Sequence, residues 1–258
     1  MVMNSCVLFL NGNLGIRVLL HILESKKFDI LAVVLNNPEK RNSLYLHKIK
    51  EIQESHRAEF KIIDFSLQNR NSLFETLETC DFGISALFGH KIPSSIINVF
   101  RLGIINLHPS LLPLGKGADP IPWGILLNYA QGATIHLITE AIDAGPILRQ
   151  EKIHYNLSMS AGDIYEKCVE SLYRQFTECL FPWLEGNLTP KKQKSEKEVD
   201  RKSVELENLR ILSGEEIGSF DTFLRRIQAL SFSDGRSPIY LDETGRRWEI
   251  QVRLSAID

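Results

Sequence analysis

The sequence predicts an α/β protein: a Rossmann-like, mostly parallel sheet flanked by helices, with a small C-terminal extension made of a helix and a β-hairpin. Three observations carry this. Apolar runs of five to eight residues alternate with amphipathic stretches over the first 190 residues; such runs bounded by turn residues read as buried strands, and apolar recurrence at 3.6-residue spacing reads as helix. A charge-dense stretch, "KKQKSEKEVDRKSVE" at 191–205, then interrupts the pattern. Beyond it the periodicity returns in another form, one helix followed by two alternating strands.

Taken in order, "CVLFL" (6–10) fits a buried strand, "NGNLG" a turn, and Ile16, Leu19, Leu20 and Leu23 of "IRVLLHILES" one face of a helix. "ILAVVLNN" (30–37) is the next strand, "LYLHKIKEIQESH" a helix, "FKIID" (60–64) a strand, "RNSLFETLETC" a helix and "FGISALF" (82–88) a strand. A short helix around 94–100 leads to the strand "GIINLH", a loop rich in Pro and Gly, the helix "PWGILLNYA" and the strand "ATIHLITE" (133–140). The long amphipathic helix of 160–186, with Ser160 as its cap and Gly186 as its stop, closes a catalytic domain of residues 1–190. Residues 191–205 form an exposed linker, because dense mixed charge stays in water. The extension, 206–258, holds the helix "FDTFLRRIQALSF" and a hairpin around Glu243-Thr-Gly245 that offers Ile239, Leu241, Trp248 and Ile250 to one face.

Composition narrows the function. With 258 residues, 43% hydrophobic and 24% charged, the chain can bury a substantial core. A formal net charge of -2 gives no field to hold a long polyanion, so no nucleic-acid partner is expected. The apolar run at 6–10 is too short for a signal sequence or a membrane span, which implies a cytoplasmic protein without membrane attachment. Cys6, Cys80, Cys168 and Cys179 form no CxxC pair and read as buried, reduced thiols. No His/Cys/Asp cluster has ligand spacing, so no metal is expected. "FLNGNLGIRV" has only Gly12 and Gly15, short of the three glycines of a dinucleotide fingerprint.

The chemistry concentrates in "GIINLHPSLLPLGKGADPIPW" (103–123). Side chains alternate along a strand, so Asn106 and His108 emerge on one face while Leu107 points away. Pro109 cannot donate to a ladder and ends the strand, leaving His108 at the carboxyl end of the sheet, where ligands of such folds bind. An amide donor beside an imidazole suits acyl-group chemistry, which must hold a carbonyl oxygen and move a proton. Asp143, in an Ala-Ile-Asp-Ala-Gly-Pro turn directly after a strand, can face that imidazole. Taken alone, each of these residues is equally at home as a satisfier of loop backbone groups.

Together the segments resemble the folate-dependent formyltransferase family. Asn106, His108, Pro109, Ser110, Leu111, Leu112 and Pro113 match its N-x-H-P-S-L-L-P signature. Gly132, Thr134, Ile135, His136, Asp143, Gly145, Pro146, Ile147 and Leu148 match its G-x-T-I-H…D-x-G-P-I-L signature. The resemblance implies formyl transfer from N10-formyltetrahydrofolate, with Asn106, His108 and Asp143 in the catalytic positions. It also implies a pterin pocket lined mainly by backbone, from Phe88, Gly89, His90, Lys91 and Ile92 on one loop and Ile138, Glu140 and Ile142 on another. His136 reads as either a support for the site or a plain sheet residue.

Within the family the acceptor amine varies. "GKGADPIPWGILLN" resembles the G-A-D-P-x-x-W stretch of enzymes that formylate nucleotide-linked amino-deoxy sugars, such as dTDP-4-amino-4,6-dideoxyglucose, for surface polysaccharides. Lys116, Gly117, Asp119 and Trp123 are the residues this resemblance places near the acceptor, with core packing the alternative for Trp123. The resemblance also implies a homodimer joined through the C-terminal portions, as is common among such enzymes, with the hairpin at 237–254 the candidate interface. The alternatives are an enzyme similar to methionyl-tRNA formyltransferase, disfavoured by the acidic balance and short tail, and a non-catalytic folate- or nucleotide-binding module.

Overall fold

The structure, a computed structural model, describes residues 4–37, 43–65, 80–194, 203–212, 219–232 and 235–255. The chain forms two compact units: residues 1–108, 135–149 and 173–192 make the first, and 109–134, 150–172 and 193–258 the second.

The first elements are β1 (Asn4–Leu10), α1 (Gly12–Ser25), β2 (Phe28–Leu35), α2 (Ser43–Ser55), β3 (Lys61–Asp64), β4 (Phe82–Ala86), α3 (Ser94–Ile97) and β5 (Ile104–His108). Then come α4 (Pro120–Leu126), β6 (Gln131–Leu137), β7 (Ile147–Ile153) and α5 (Ala161–Leu184). One seven-stranded sheet has the order β3-β2-β1-β4-β5-β6-β7. The pairs β2/β3, β1/β2, β1/β4 and β4/β5 are parallel. The reversal of strand order beside β1 is the topological switch point at which such sheets open a crevice.

Burial explains the order. Cys6 to Leu10 of β1 are all fully buried, as a strand covered on both faces requires. Each fully buried Val, Leu, Ile or Phe contributes about 1.5–3 kcal/mol of apolar transfer energy, so the middle of the sheet anchors the first unit. Around it Phe9, Val34, Ile92, Ile96 and Ile104 form one apolar cluster. All four cysteines are free and buried, and burial pushes the Cys80, Cys168 and Cys179 thiols up to about 12.

Several boundaries differ from the sequence reading. Helix α1 starts at Gly12, so most of "NGNLG" is helical; Gly12 takes φ 61°, which turns the chain straight out of β1. Helix α4 covers Pro120–Leu126 instead of 122–130, with Pro at its first turn. β6 ends at Leu137, three residues before the expected limit, and the sequence reading had no strand at 147–153, where β7 lies. The expected helix "RNSLFETLETC" falls almost wholly on residues outside the described set. The cap of α5 is as expected: Ser160 Oγ accepts from Asp163 N at 3.1 Å, and Asp163 Oδ2 accepts from Ser160 N at 2.7 Å.

After α5 the linker stretch has structured ends. Lys191 forms an antiparallel bridge with Ile147, and α6 (Ser203–Leu209) begins inside it, while 195–202 lie outside the described residues. β8 (Ile211–Leu212), α7 (Phe220–Leu230), β9 (Ile239–Leu241) and β10 (Arg247–Glu249) follow. These strands make a separate sheet of order β10-β9-β8. In the second unit Leu206, Ala229 and Leu230 pack in one apolar cluster with Ile121, Trp123, Ile125, Ile153, Ile164 and Cys168.

The hairpin is present, but its register corrects the expected apolar face. Arg247 pairs with Leu241, Trp248 with Tyr240 and Glu249 with Ile239. Directly paired residues share a face, so Trp248 and Ile250 lie with Tyr240, opposite Ile239 and Leu241. The turn sets this register. Asp242 Oδ1 accepts from Thr244 Oγ1 at 2.6 Å, Thr244 N at 2.9 Å and Arg246 N at 3.0 Å, and Asp242 Oδ2 accepts from Trp248 Nε1 at 2.8 Å. Bonds from Thr244 and then Trp248 hold the Asp242 carboxyl at about 2, below the usual carboxylate range. A carboxyl depressed on folding supports its turn above the ordinary carboxylate pKa and loses that support as pH falls through about 2. The indole N–H resonance of Trp248 should therefore shift with a midpoint at about pH 2, and Asp242→Asn should abolish that titration.

Candidate active site

β5 delivers the first two side chains. Ile104, Ile105 and Leu107 are buried, which fixes the strand in the sheet, and alternation puts Asn106 and His108 on one face with Ile105 and Leu107 on the other. The third comes from the 140–145 turn, where Asp143 adopts φ 47°. That turn is closed by Leu137 N donating to Pro146 O at 2.9 Å. It is crowded at Gly145, where an added Cβ would overlap the Leu137 carbonyl oxygen.

These residues meet. Asp143 Oδ1 lies 3.4 Å from Asn106 Nδ2 and 3.5 Å from His136 Nε2. Its Oδ2 lies 3.7 Å from His108 Nδ1, within ion-pair reach though too long for a hydrogen bond. Asn106 Nδ2 is also 3.1 Å from His136 Nε2. The side chains of His108 and Asp143 are 8% and 13% exposed, so their mutual attraction is felt in a medium much less screening than water. All four residues belong to the first unit.

The hydrogen-bond directions follow from chemistry. His136 Nδ1 lies 2.9 Å from the Leu137 carbonyl, which can only accept, so Nδ1 carries a proton. With the proton on Nδ1, Nε2 can accept from the Asn106 amide, which donates. Asp143 likewise only accepts, so the same amide NH2 faces it. His136, weighed evenly between two readings from sequence, touches both Asn106 and Asp143 and is 1% exposed. Sequence reasoning missed Ser85, whose Oγ donates to Asn106 Oδ1 at 2.8 Å. The signal for it was a lone hydroxyl among the apolar residues of β4.

The residues expected to line a pterin pocket lie on two loops of the first unit. Ile92 is 3% exposed and packs in the apolar cluster, and Phe88 and Ile138 pack against that cluster. Their side chains therefore serve the core, which leaves backbone to line a pocket. Gly89 N donates to Asn36 Oδ1 at 3.2 Å, tying the first loop to the end of β2. His90 packs at 5.3 Å from the Phe65 ring, and Lys91, Glu140 and Ile142 are exposed. The expected acceptor residues all belong to the second unit. Lys116, Gly117 and Asp119 are half-buried; Asp119 has φ 51° and precedes α4. Trp123 is 7% exposed and packs in the second unit's cluster, the alternative weighed for it. Among the described residues no group of three His, Cys, Asp or Glu side chains could hold a metal, and no helix is long and apolar enough to cross a membrane.

A mostly parallel α/β sheet carrying an amide, two imidazoles and a carboxylate in mutual reach at one strand end is the frame of a group-transfer enzyme. The profile described as Formyl transferase matches residues 4–180, and the chain belongs to that family. It is similar to dTDP-4-amino-4,6-dideoxyglucose formyltransferase of Mycobacterium bovis, at 29% identity over 180 residues, 70% of this chain and 76% of that protein. It is also similar to methionyl-tRNA formyltransferase of Mycoplasmopsis pulmonis, at 26% identity over 243 residues, 87% of this chain and 77% of that protein. Among solved structures, the N-formyltransferase from Helicobacter canadensis in complex with folinic acid and dTDP-3-aminofucose aligns with TM-score 0.69 and 19% identity. That alignment covers 90% of this chain and 82% of the other.

Proposed function

We propose that this chain transfers the formyl group of N10-formyltetrahydrofolate to the amino group of a nucleotide-linked amino-deoxy sugar, such as dTDP-4-amino-4,6-dideoxyglucose, in the cytoplasm and for surface polysaccharide. The observation that carries the reading is the convergence of Asn106, His108 and Asp143 within one partly buried cluster of a formyl transferase. The sugar acceptor is supported by the printed activity of the Mycobacterium bovis relative and by the G-A-D-P-x-x-W stretch at 117–123. The folate donor is supported by the folinic acid in the Helicobacter canadensis complex and by the backbone-lined loops at 87–93 and 138–143.

In this reading the amine nitrogen attacks the formyl carbon while its bond to the folate nitrogen breaks. Negative charge gathers on the formyl oxygen, held by His108 Nε2–H and by the Asn106 Nδ2–H that exchanges its long 3.4 Å contact with Asp143 for the substrate oxygen. Asp143 faces His108 Nδ1, orients the imidazole and passes the proton lost by the amine, through water, toward the departing nitrogen. A free binder of folate has no use for three converging proton-handling groups.

The test is direct. Purified protein incubated with N10-formyltetrahydrofolate and dTDP-4-amino-4,6-dideoxyglucose, dTDP-3-aminofucose or methionyl-tRNA should add one formyl mass to a sugar nucleotide. Formylation of methionyl-tRNA alone would favour the second reading, which the Mycoplasmopsis pulmonis match keeps open. No product with any amine would sink the enzymatic reading. We further propose a homodimer joined through 206–258, where Ile211, Phe220, Trp248 and Val252 are exposed, to be checked by light scattering on the same preparation.

A further inference from the structure

We infer that Ser85 is a positioning residue for the Asn106 amide, resting on the reading of that amide as the donor to the formyl oxygen. Ser85 and Asn106 are register partners on the parallel strands β4 and β5, so their side chains stand on one face. Ser85 is 3% exposed and is the only side chain of β4 with a hydrogen-bonding group. A buried hydroxyl of that kind is held by a partner, and its partner is Asn106 Oδ1 at 2.8 Å.

The directions already assigned make this bond informative. Because Asp143 and the His136 Nε2 lone pair both demand the NH2 end, Oδ1 must face Ser85, and the hydroxyl must be the donor. The bonds then run head to tail: Ser85 O–H to Asn106 Oδ1, Asn106 N–H to His136 Nε2, His136 Nδ1–H to the Leu137 carbonyl. Donation into an amide oxygen draws charge from its nitrogen and strengthens the N–H donors, the cooperative effect expected of a chain in low dielectric. Among the described residues Ser85 is the only group bonded to Oδ1. Without it the amide torsion, which is intrinsically broad, loses its pin on that side.

One hydrogen bond of this type corresponds to a change of about three- to tenfold in rate. With dTDP-4-amino-4,6-dideoxyglucose as acceptor, Ser85→Ala should lower kcat by about that factor and leave both KM values within about twofold. Ser85→Thr, which keeps the hydroxyl, should restore kcat, and Ser85→Cys, a weaker donor of similar size, should fall between. A merely structural serine would lower the melting temperature and spare kcat. Wild-type kcat in Ser85→Ala overturns the inference; so does wild-type kcat in Ser85→Cys, which decides the matter if the alanine variant does not fold. Asn106→Ala, run in parallel, separates the two levels: an active Asn106→Ala removes the reading beneath, whereas an inactive one beside a fully active Ser85→Ala removes only this inference. Independently of any acceptor, the Asn106 side-chain NH2 resonance, identified by its absence in Asn106→Ala, should shift upfield in Ser85→Ala. An unmoved resonance overturns the proposal.

Discussion

On the proposed mechanism, alanine at Asn106 or at His108 will lower formyl transfer to dTDP-4-amino-4,6-dideoxyglucose by about a hundredfold or more, the usual loss when one donor to a developing oxyanion is removed. The fold should survive both changes. Asn106→Ala deletes bonds to Ser85, His136 and Asp143 and strands polar groups at a cost of about 1–3 kcal/mol each, less any cost that water relieves. His108→Ala removes a buried side chain at the sheet's end, 3.7 Å from Asp143. Far-ultraviolet circular dichroism should therefore look native while kcat collapses. On the proposed mechanism both donors serve one oxygen, so the two changes should also fail to add. A His108→Ala enzyme that keeps most of its turnover would remove this residue from the mechanism.

Gly145→Ala should do comparable damage by a different route. The new Cβ would overlap the Leu137 carbonyl oxygen and sit 2.8 Å from the Leu137 carbonyl carbon, both backbone atoms that cannot swing aside. The turn has to open, and its closing bond from Leu137 N to Pro146 O goes with it. Asp143, two residues earlier in the same turn, then leaves its place against His108 and Asn106. A displacement of about 1 Å in a reacting constellation already costs on the order of a hundredfold. Activity and thermal midpoint should fall together here. Near-normal turnover in Gly145→Ala would mean that the position of Asp143 is not needed.

What sequence could reveal of all this follows from how far each interaction reaches. β1, β2, β4 and β5 were legible because a doubly covered strand must be apolar along its whole length, a property of local composition. Asn106 and His108 were legible because a period of two puts them on one face and Pro109 ends the strand. β7 escaped because "ILRQEKI" exposes Arg149 and Gln150 side by side, which breaks strict alternation. The hairpin's register was also misjudged: the bonds gathered by Asp242 fix it, and they belong to a turn geometry that alternation does not encode. Ser85 was invisible for a deeper reason, since its partner lies 21 residues away and only strand pairing brings the two together.

The packing of Leu206, Ala229 and Leu230 against Ile121, Ile125, Ile164 and Cys168 bears on protein engineering. Tail exchange among relatives is tempting, since the matching family profile stops at residue 180. Yet a graft joined near that point would ask a foreign tail to fit an apolar surface shaped by this one. Successful chimeras will have to carry α4 and the first half of α5 along with the tail, treating them as a single cassette.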